Sequence, residues 1–120
     1  MIKLFKPTKV QVELNSIGKI FFGLLQKKIK QQNLNTSIKG FNTTNDSKNQ
    51  LVNKFQVAVQ SNDVTILNDE KLLYQMNIFE SKPTSTGKVT YAASGNGNDD
   101  MVMSTLLAFD ALSVGSYNII

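Results

Sequence analysis

The sequence predicts an α/β fold, a largely parallel sheet with helices packed on it. Three observations carry this. Short stretches of alternating hydrophobicity take turns with longer stretches of helical periodicity. The 120 residues give room for one small domain, residues 1–120. A hydrophobic content of 41% with 18% charge supplies a packed core and argues against disorder. Strand-helix alternation is what parallel strands joined by crossover helices produce.

The elements follow in order. Lys9-Val10-Gln11-Val12-Glu13-Leu14 alternates apolar with polar, the period of a strand with one face in the core, and stops at Asn15-Ser16. From Ile17 to Gln32, residues Ile17, Ile20, Phe21, Leu24 and Leu25 recur at helical spacing opposite Lys19, Gln26 and Lys30, predicting an amphipathic helix. Lys28 falls on the apolar stripe, near the helix end, where its ammonium can snorkel to water. Ser37 to Phe41 reads as a second strand.

Asn42-Thr43-Thr44-Asn45 is a run of helix-capping residues, so a helix is expected from near Asp46 to Gln60, with Leu51, Val52, Phe55, Ala58 and Val59 on one face. Ser61-Asn62-Asp63 interrupts it before a third strand, Val64 to Leu67. Asn68 is the expected cap of the next helix, with Asp69 and Glu70 in its first turn and an end near Asn77. Ile78 to Ser81 and Lys88 to Ala93 flank the Pro/Gly-containing segment from Lys82 to Gly87, which predicts a hairpin. After a glycine loop, Ser94 to Asn98, the pair Asp99-Asp100 opens a last helix, apolar on most sides through Leu112 and therefore expected to be buried.

Composition excludes much chemistry. The chain has no Cys, His or Trp, and its 13 basic residues are all Lys. Disulfide frameworks, Cys/His zinc sites, thiol nucleophiles, His-based triads and arginine fingers are thereby removed. Carboxylates, Lys, Tyr and Ser/Thr remain, and a metal held by carboxylates would be a hard ion such as Mg²⁺, Mn²⁺ or Ca²⁺. The net charge of +4 and pI near 9.4 suit a polyanionic partner without demanding one. The longest apolar stretch, Ile17 to Leu25, contains Lys19 and is far shorter than a membrane span. With no signal-peptide pattern at the start, the expected location is the cytoplasm.

Glu13 sits near the carboxyl end of the first strand, where open α/β sheets gather ligands, and Asp99 and Asp100 open the last helix. Acids from distant positions, brought together by folding, are what a Mg²⁺ site needs. The competing reading is ordinary: acids at a helix start complement the macrodipole, and Glu13 lies on the polar side of its strand.

The wording of three segments resembles one family. Tyr91-Ala92-Ala93-Ser94-Gly95-Asn96-Gly97-Asn98-Asp99-Asp100-Met101-Val102-Met103 is similar to the closing motif of the nuclease domain of tailed-phage large terminase subunits, in which a small residue, a His or Asn, and an Asp pair precede an apolar helix. Val12-Glu13-Leu14-Asn15-Ser16-Ile17-Gly18 resembles that family's strand with a Glu, followed by an Asn and a Gly that open a helix. Gly40-Phe41-Asn42-Thr43-Thr44 with Ser47-Lys48 is similar to the linking segment. The three lie in the family's order, between about residues 10 and 110.

The resemblance implies an RNase H-like mixed sheet flanked by helices, cutting concatemeric viral DNA with two divalent cations, Mg²⁺ or Mn²⁺, in a bacterial host cytoplasm. Carried over by motif, Glu13 and Asp100 would be metal ligands and Asp99 a further ligand or supporting acid. Lys48 and Lys39 are the candidate contacts to DNA phosphates. For Lys48 the alternative is a lysine snorkelling at a helix end, and for Lys39, as for Lys19, Lys27, Lys30 and Lys54, a solvated face. Double-stranded DNA, the phage portal and the packaging motor are the implied partners. The alternative is a noncatalytic module of the same fold that docks on the motor or portal; a resolvase-like nuclease fits the Gly-Phe-Asn-Thr-Thr segment less well.

The chain also departs from the family. No acid precedes Val10, so the Asp of the family's first strand has no counterpart and the opening strands are expected to be lacking. No phosphate-binding GxxxxGK[ST] motif occurs, because Glu13 stands where its first Gly would be, and Gly95-Asn96-Gly97 is no dinucleotide fingerprint, because Asp100 replaces the last Gly. The expectations are weak metal binding, little nuclease activity from the chain alone, and a free edge on the Glu13 strand through which copies pair.

Overall fold

The computed structural model describes residues 5–94, 97–112 and 117–119. In chain order the elements are β1 (Lys9–Glu13), α1 (Ser16–Gln31), β2 (Ser37–Phe41), α2 (Asn45–Gln60), β3 (Val64–Ile66), α3 (Glu70–Ile78), β4 (Phe79–Pro83), β5 (Val89–Ala93), α4 (Asp100–Ala111) and β6 (Tyr117–Ile119). The order is the expected one with β6 added. The chain divides into two compact units, Met1–Thr43 and Thr44–Ile120.

In the first unit β1 and β2 run parallel, in register from Lys9 opposite Ser37 to Glu13 opposite Phe41, with α1 as the crossover. Asn15 caps α1, its Oδ1 accepting from the Gly18 amide at 3.2 Å. Gly18 is buried, and a side chain there would strike the Glu13 carbonyl oxygen. The missing Cβ is what lets the first turn of α1 lie against the end of β1.

That contact sets the rotation of α1 and corrects the expected face. Gly18 and Ile29 are buried and Phe22 and Leu25 half-buried, whereas Ile17, Ile20, Phe21 and Leu24 are exposed. Two overlapping sets of apolar residues on α1 each satisfy helical spacing, so periodicity could not choose between them. The close approach at Gly18 chooses. Lys28 lies in the last turn, exposed as expected.

The second unit holds most of the core. Leu51, Val52, Phe55 and Ala58 of α2, Leu72 of α3, and Val102, Met103, Leu106, Leu107 and Phe109 of α4 are buried, the α4 residues on most of its circumference. Phe55 meets Phe109 edge to face, centroids 5.4 Å apart at 72°. Thr44 caps α2 in a reciprocal capping box with Ser47. For α3 the cap is Asp69, accepting from the Leu72 amide at 3.0 Å, and not Asn68. A carboxylate at that position satisfies an orphan amide and the helix dipole together.

β4 and β5 form the expected hairpin, from Phe79 opposite Ala93 to Pro83 opposite Val89, with Gly87 at φ +82° in the turn. β3 pairs in parallel with β6. With two parallel ladders and one antiparallel among the described residues, the sheet structure is mixed, less uniformly parallel than the alternation alone predicts. Of the glycine loop, Gly95 and Asn96 lie outside the described residues. Among the described residues no helix is long and apolar enough to cross a membrane.

Candidate functional site

Glu13 is the last residue of β1, at the carboxyl end of the parallel pair. Its carboxylate is held from the other strand's exit: Thr43 Oγ1 donates to Glu13 Oε1 at 2.6 Å, and the Leu14 amide extends the ladder by donating to the Phe41 carbonyl at 2.7 Å. A short bond to a charged acceptor fixes the direction of that side chain. Lys39, on β2, is exposed.

Asp99 and Asp100 sit at the start of α4 in different settings. Asp99 occupies the N-cap position, but its side chain makes no capping bond. Its Oδ2 instead lies 3.3 Å from Lys48 Nζ, in a pair whose side chains are 26% and 19% exposed. Lys48 projects from the first turn of α2 on the side of Leu51, Val52 and Phe55, as its spacing predicts, and its ammonium also stands 5.7 Å from the Phe79 ring centroid. Phe79 stacks on Tyr91 across the hairpin.

The capping duty that Asp99 leaves passes to Gln75 of α3. Its Oε1 accepts from the Met101 amide at 2.8 Å, and the residue is buried at 7% exposure. Asp100, the first residue of α4, is exposed. Of the twin acids, one is anchored to a cation and the other is open to solvent.

Sequence reasoning missed Gln75 and the role of Thr43. Gln75 left one signal, its place three residues after Leu72 on the buried stripe of α3. Thr43 sits in a run of capping residues, and only the parallel register of β1 and β2 brings it to Glu13.

The donors are hard oxygens, the type that Mg²⁺ selects. Within neither unit do three acidic side chains gather to hold an ion, among the described residues. Glu13 is the one acid of residues 1–43, and in the second unit Lys48 already engages Asp99. Each unit's acids therefore suit a divalent cation in kind, while among the described residues neither unit alone supplies a full set of ligands.

No protein-family model matches the chain. Over 62 residues it is 32% identical to the large terminase subunits of Thermus phage G20c and Thermus virus P23-45, a match covering 52% of this chain and 13% of each relative. The chain thus spans a small part of the curated relatives it matches. The large terminase nuclease of thermophilic phage G20c with bound magnesium overlays 72% of this chain at a TM-score of 0.59 and 25% identity, using 46% of that protein. The same nuclease with bound cobalt gives 26% identity over the same share. A further structure of that nuclease covers 88% of the chain at a TM-score of 0.66 and 21% identity, a likeness of fold. By sequence over half its length and by fold over most of it, this chain is similar to part of the large terminase nuclease of phage G20c, and its fold is the RNase H-like one.

Proposed function

We propose that this chain forms part of a viral DNA-packaging endonuclease that cuts concatemeric double-stranded DNA using two divalent cations, Mg²⁺ or Mn²⁺, in the cytoplasm of a bacterial host. The observation that carries the reading is its likeness, at 25% identity, to a terminase nuclease solved with bound magnesium. Portal and packaging motor are the protein partners this reading implies.

Glu13 and Asp100 are the residues we assign to the metal, and Asp99 the supporting acid. The cations would supply activation of water and stabilisation of the leaving oxygen in phosphodiester hydrolysis. The chain's own part is orientation. Thr43 aims the Glu13 carboxylate, while Lys48 and Gln75 fix the start of α4, from which Asp100 projects. Lys39, exposed, is free to meet a DNA phosphate, whereas Lys48 is committed to Asp99 unless a phosphate competes for it.

One observation favours a second reading, a noncatalytic module docking on the motor or portal: among the described residues, the acids of neither unit make a metal cage alone. Mn²⁺ titration followed by water-proton relaxation separates the two. The nuclease reading expects weak binding, reduced at least about tenfold by Glu13→Ala and by Asp100→Ala, with little plasmid cleavage by the chain alone. Binding indifferent to both substitutions would sink it. Vigorous plasmid cleavage abolished by Glu13→Ala would confirm the site and overturn the expectation of weak activity.

A further inference from the structure

We infer that Lys48 is a resident stand-in cation for Asp99: its ammonium neutralises that carboxylate, yields it when a divalent ion binds, and thereby raises the ion concentration at which the site fills. This rests on the assignment of Asp99 and Asp100 to a divalent-cation site made above.

The first observation is that the start of α4 does not depend on the Asp99 side chain. Asp99 stands at the N-cap, where an Asp normally accepts from an amide of the first turn. It makes no such bond, and Gln75 Oε1 takes the Met101 amide at 2.8 Å in its place. The carboxylate can therefore change partner without uncapping the helix.

The second is the position of the lysine. Lys48 lies in the first turn of α2, where a cation opposes the helix dipole and where Thr44 and Ser47 already supply the cap. Its own helix gains nothing from a positive charge there. What the charge meets is Asp99 Oδ2, 3.3 Å away, in a setting mostly closed to water. A carboxylate so placed needs a counter-charge.

The third is a second seat for the ammonium. Lys48 Nζ stands 5.7 Å from the Phe79 ring centroid, and that ring is braced by stacking on Tyr91 at 6.0 Å. A cation over an aromatic face is stabilised without a carboxylate, and the flexible stem of a lysine lets the ammonium move while its Cα stays fixed. Lys48 can give up Asp99 without becoming an unpaired buried charge.

A divalent ion brings twice the charge of the ammonium to the same oxygen, so it displaces Lys48, and the broken pair is subtracted from its affinity. A lysine that merely aimed Asp99 at the ion would do the reverse, and its removal would weaken binding. The two roles differ in sign.

The test measures Mn²⁺ binding to the whole chain by water-proton relaxation for the wild type, Lys48→Met, Lys48→Arg and Lys54→Met. Lys54, on the same helix, pairs with Asp110 at 3.3 Å and serves as the charge-matched control. Lys48→Met should tighten binding about three- to tenfold, although it lowers stability. Lys48→Arg, which keeps the charge, should not tighten it, and Lys54→Met should leave it within about twofold. In the wild type, Mg²⁺ should speed the exchange of the Lys48 ammonium hydrogens with water, followed by ¹⁵N NMR, and Asp99→Asn should speed it without Mg²⁺. Weaker or unchanged Mn²⁺ binding in Lys48→Met overturns the inference. So does equal tightening in Lys54→Met, which would make the effect one of net charge, or ammonium exchange that Mg²⁺ does not alter. Lys48→Gln carries the same test if the Met variant does not fold. Failure of the metal assignment itself looks different: Mn²⁺ binding that is absent, or indifferent to Asp100→Ala, removes both.

Discussion

Lys48 and Asp99 stand 51 positions apart in the chain and 3.3 Å apart in space. The pair joins the first turn of α2 to the start of α4 and diverts Asp99 from capping its own helix. Lys48→Met keeps the aliphatic stem beside Phe79 and removes the charge. The expected loss is about 1 kcal/mol, since the pair is largely but not fully buried, or roughly 4–8 °C in thermal midpoint for a domain this small. The deficit should shrink in about 1 M salt, where screening weakens the wild-type pair. An unchanged midpoint at low salt would show that the pair contributes nothing.

Gln75 takes the cap that Asp99 gives up. Gln75→Leu is close in volume and leaves the Met101 amide without an acceptor in a buried setting, at a cost of about 1–3 kcal/mol. Urea unfolding should show the midpoint falling at constant m-value. Gln75→Glu, which retains an acceptor, should recover part of the loss; equal loss in both variants would mean that shape, and not the hydrogen bond, matters there.

Gly18 is required by the Glu13 carbonyl, which any Cβ at that position would strike. Gly18→Ala, normally favourable within a helix, should here destabilise the first unit by about 1–3 kcal/mol as α1 is pushed from the end of β1. Hydrogen exchange should quicken in β1 and the first turn of α1 while α4 keeps its protection. A neutral or stabilising Gly18→Ala would refute the close approach.

Thr43 aims Glu13. Thr43→Val removes the donor but keeps the shape, and should cost roughly 1 kcal/mol of stability. If Glu13 binds metal as proposed, the same substitution should weaken Mn²⁺ binding severalfold, while Thr43→Ser restores it. Stability lost with no change in metal binding would leave Thr43 a purely structural residue.

The elements were legible where local chemistry suffices. Thr44 with Ser47 announced α2, the segment from Lys82 to Gly87 announced the hairpin, and the near-continuous apolar run after Asp100 announced a buried helix. Local rules failed where two readings were equally good locally. Asn68 and Asp69 are both capping residues, and only the carboxylate reaches the Leu72 amide. The apolar residues of α1 satisfy helical spacing on two sides, and a backbone contact at Gly18 selects the inward one.

What this sequence determined by itself is its menu: the order of strands and helices, the apolar α4, and a chemistry left to carboxylates, Lys, Tyr and Ser/Thr because Cys, His and Arg are absent. Those properties depend on residues within a turn or two of each other. Tertiary structure alone decided that Thr43 holds Glu13, that Lys48 claims Asp99, that Gln75 caps α4, and that Ile20 and Phe21 face outward. Each of these is set by where a helix or strand lies against a neighbour distant in sequence, and composition, periodicity and spacing carry no record of that placement.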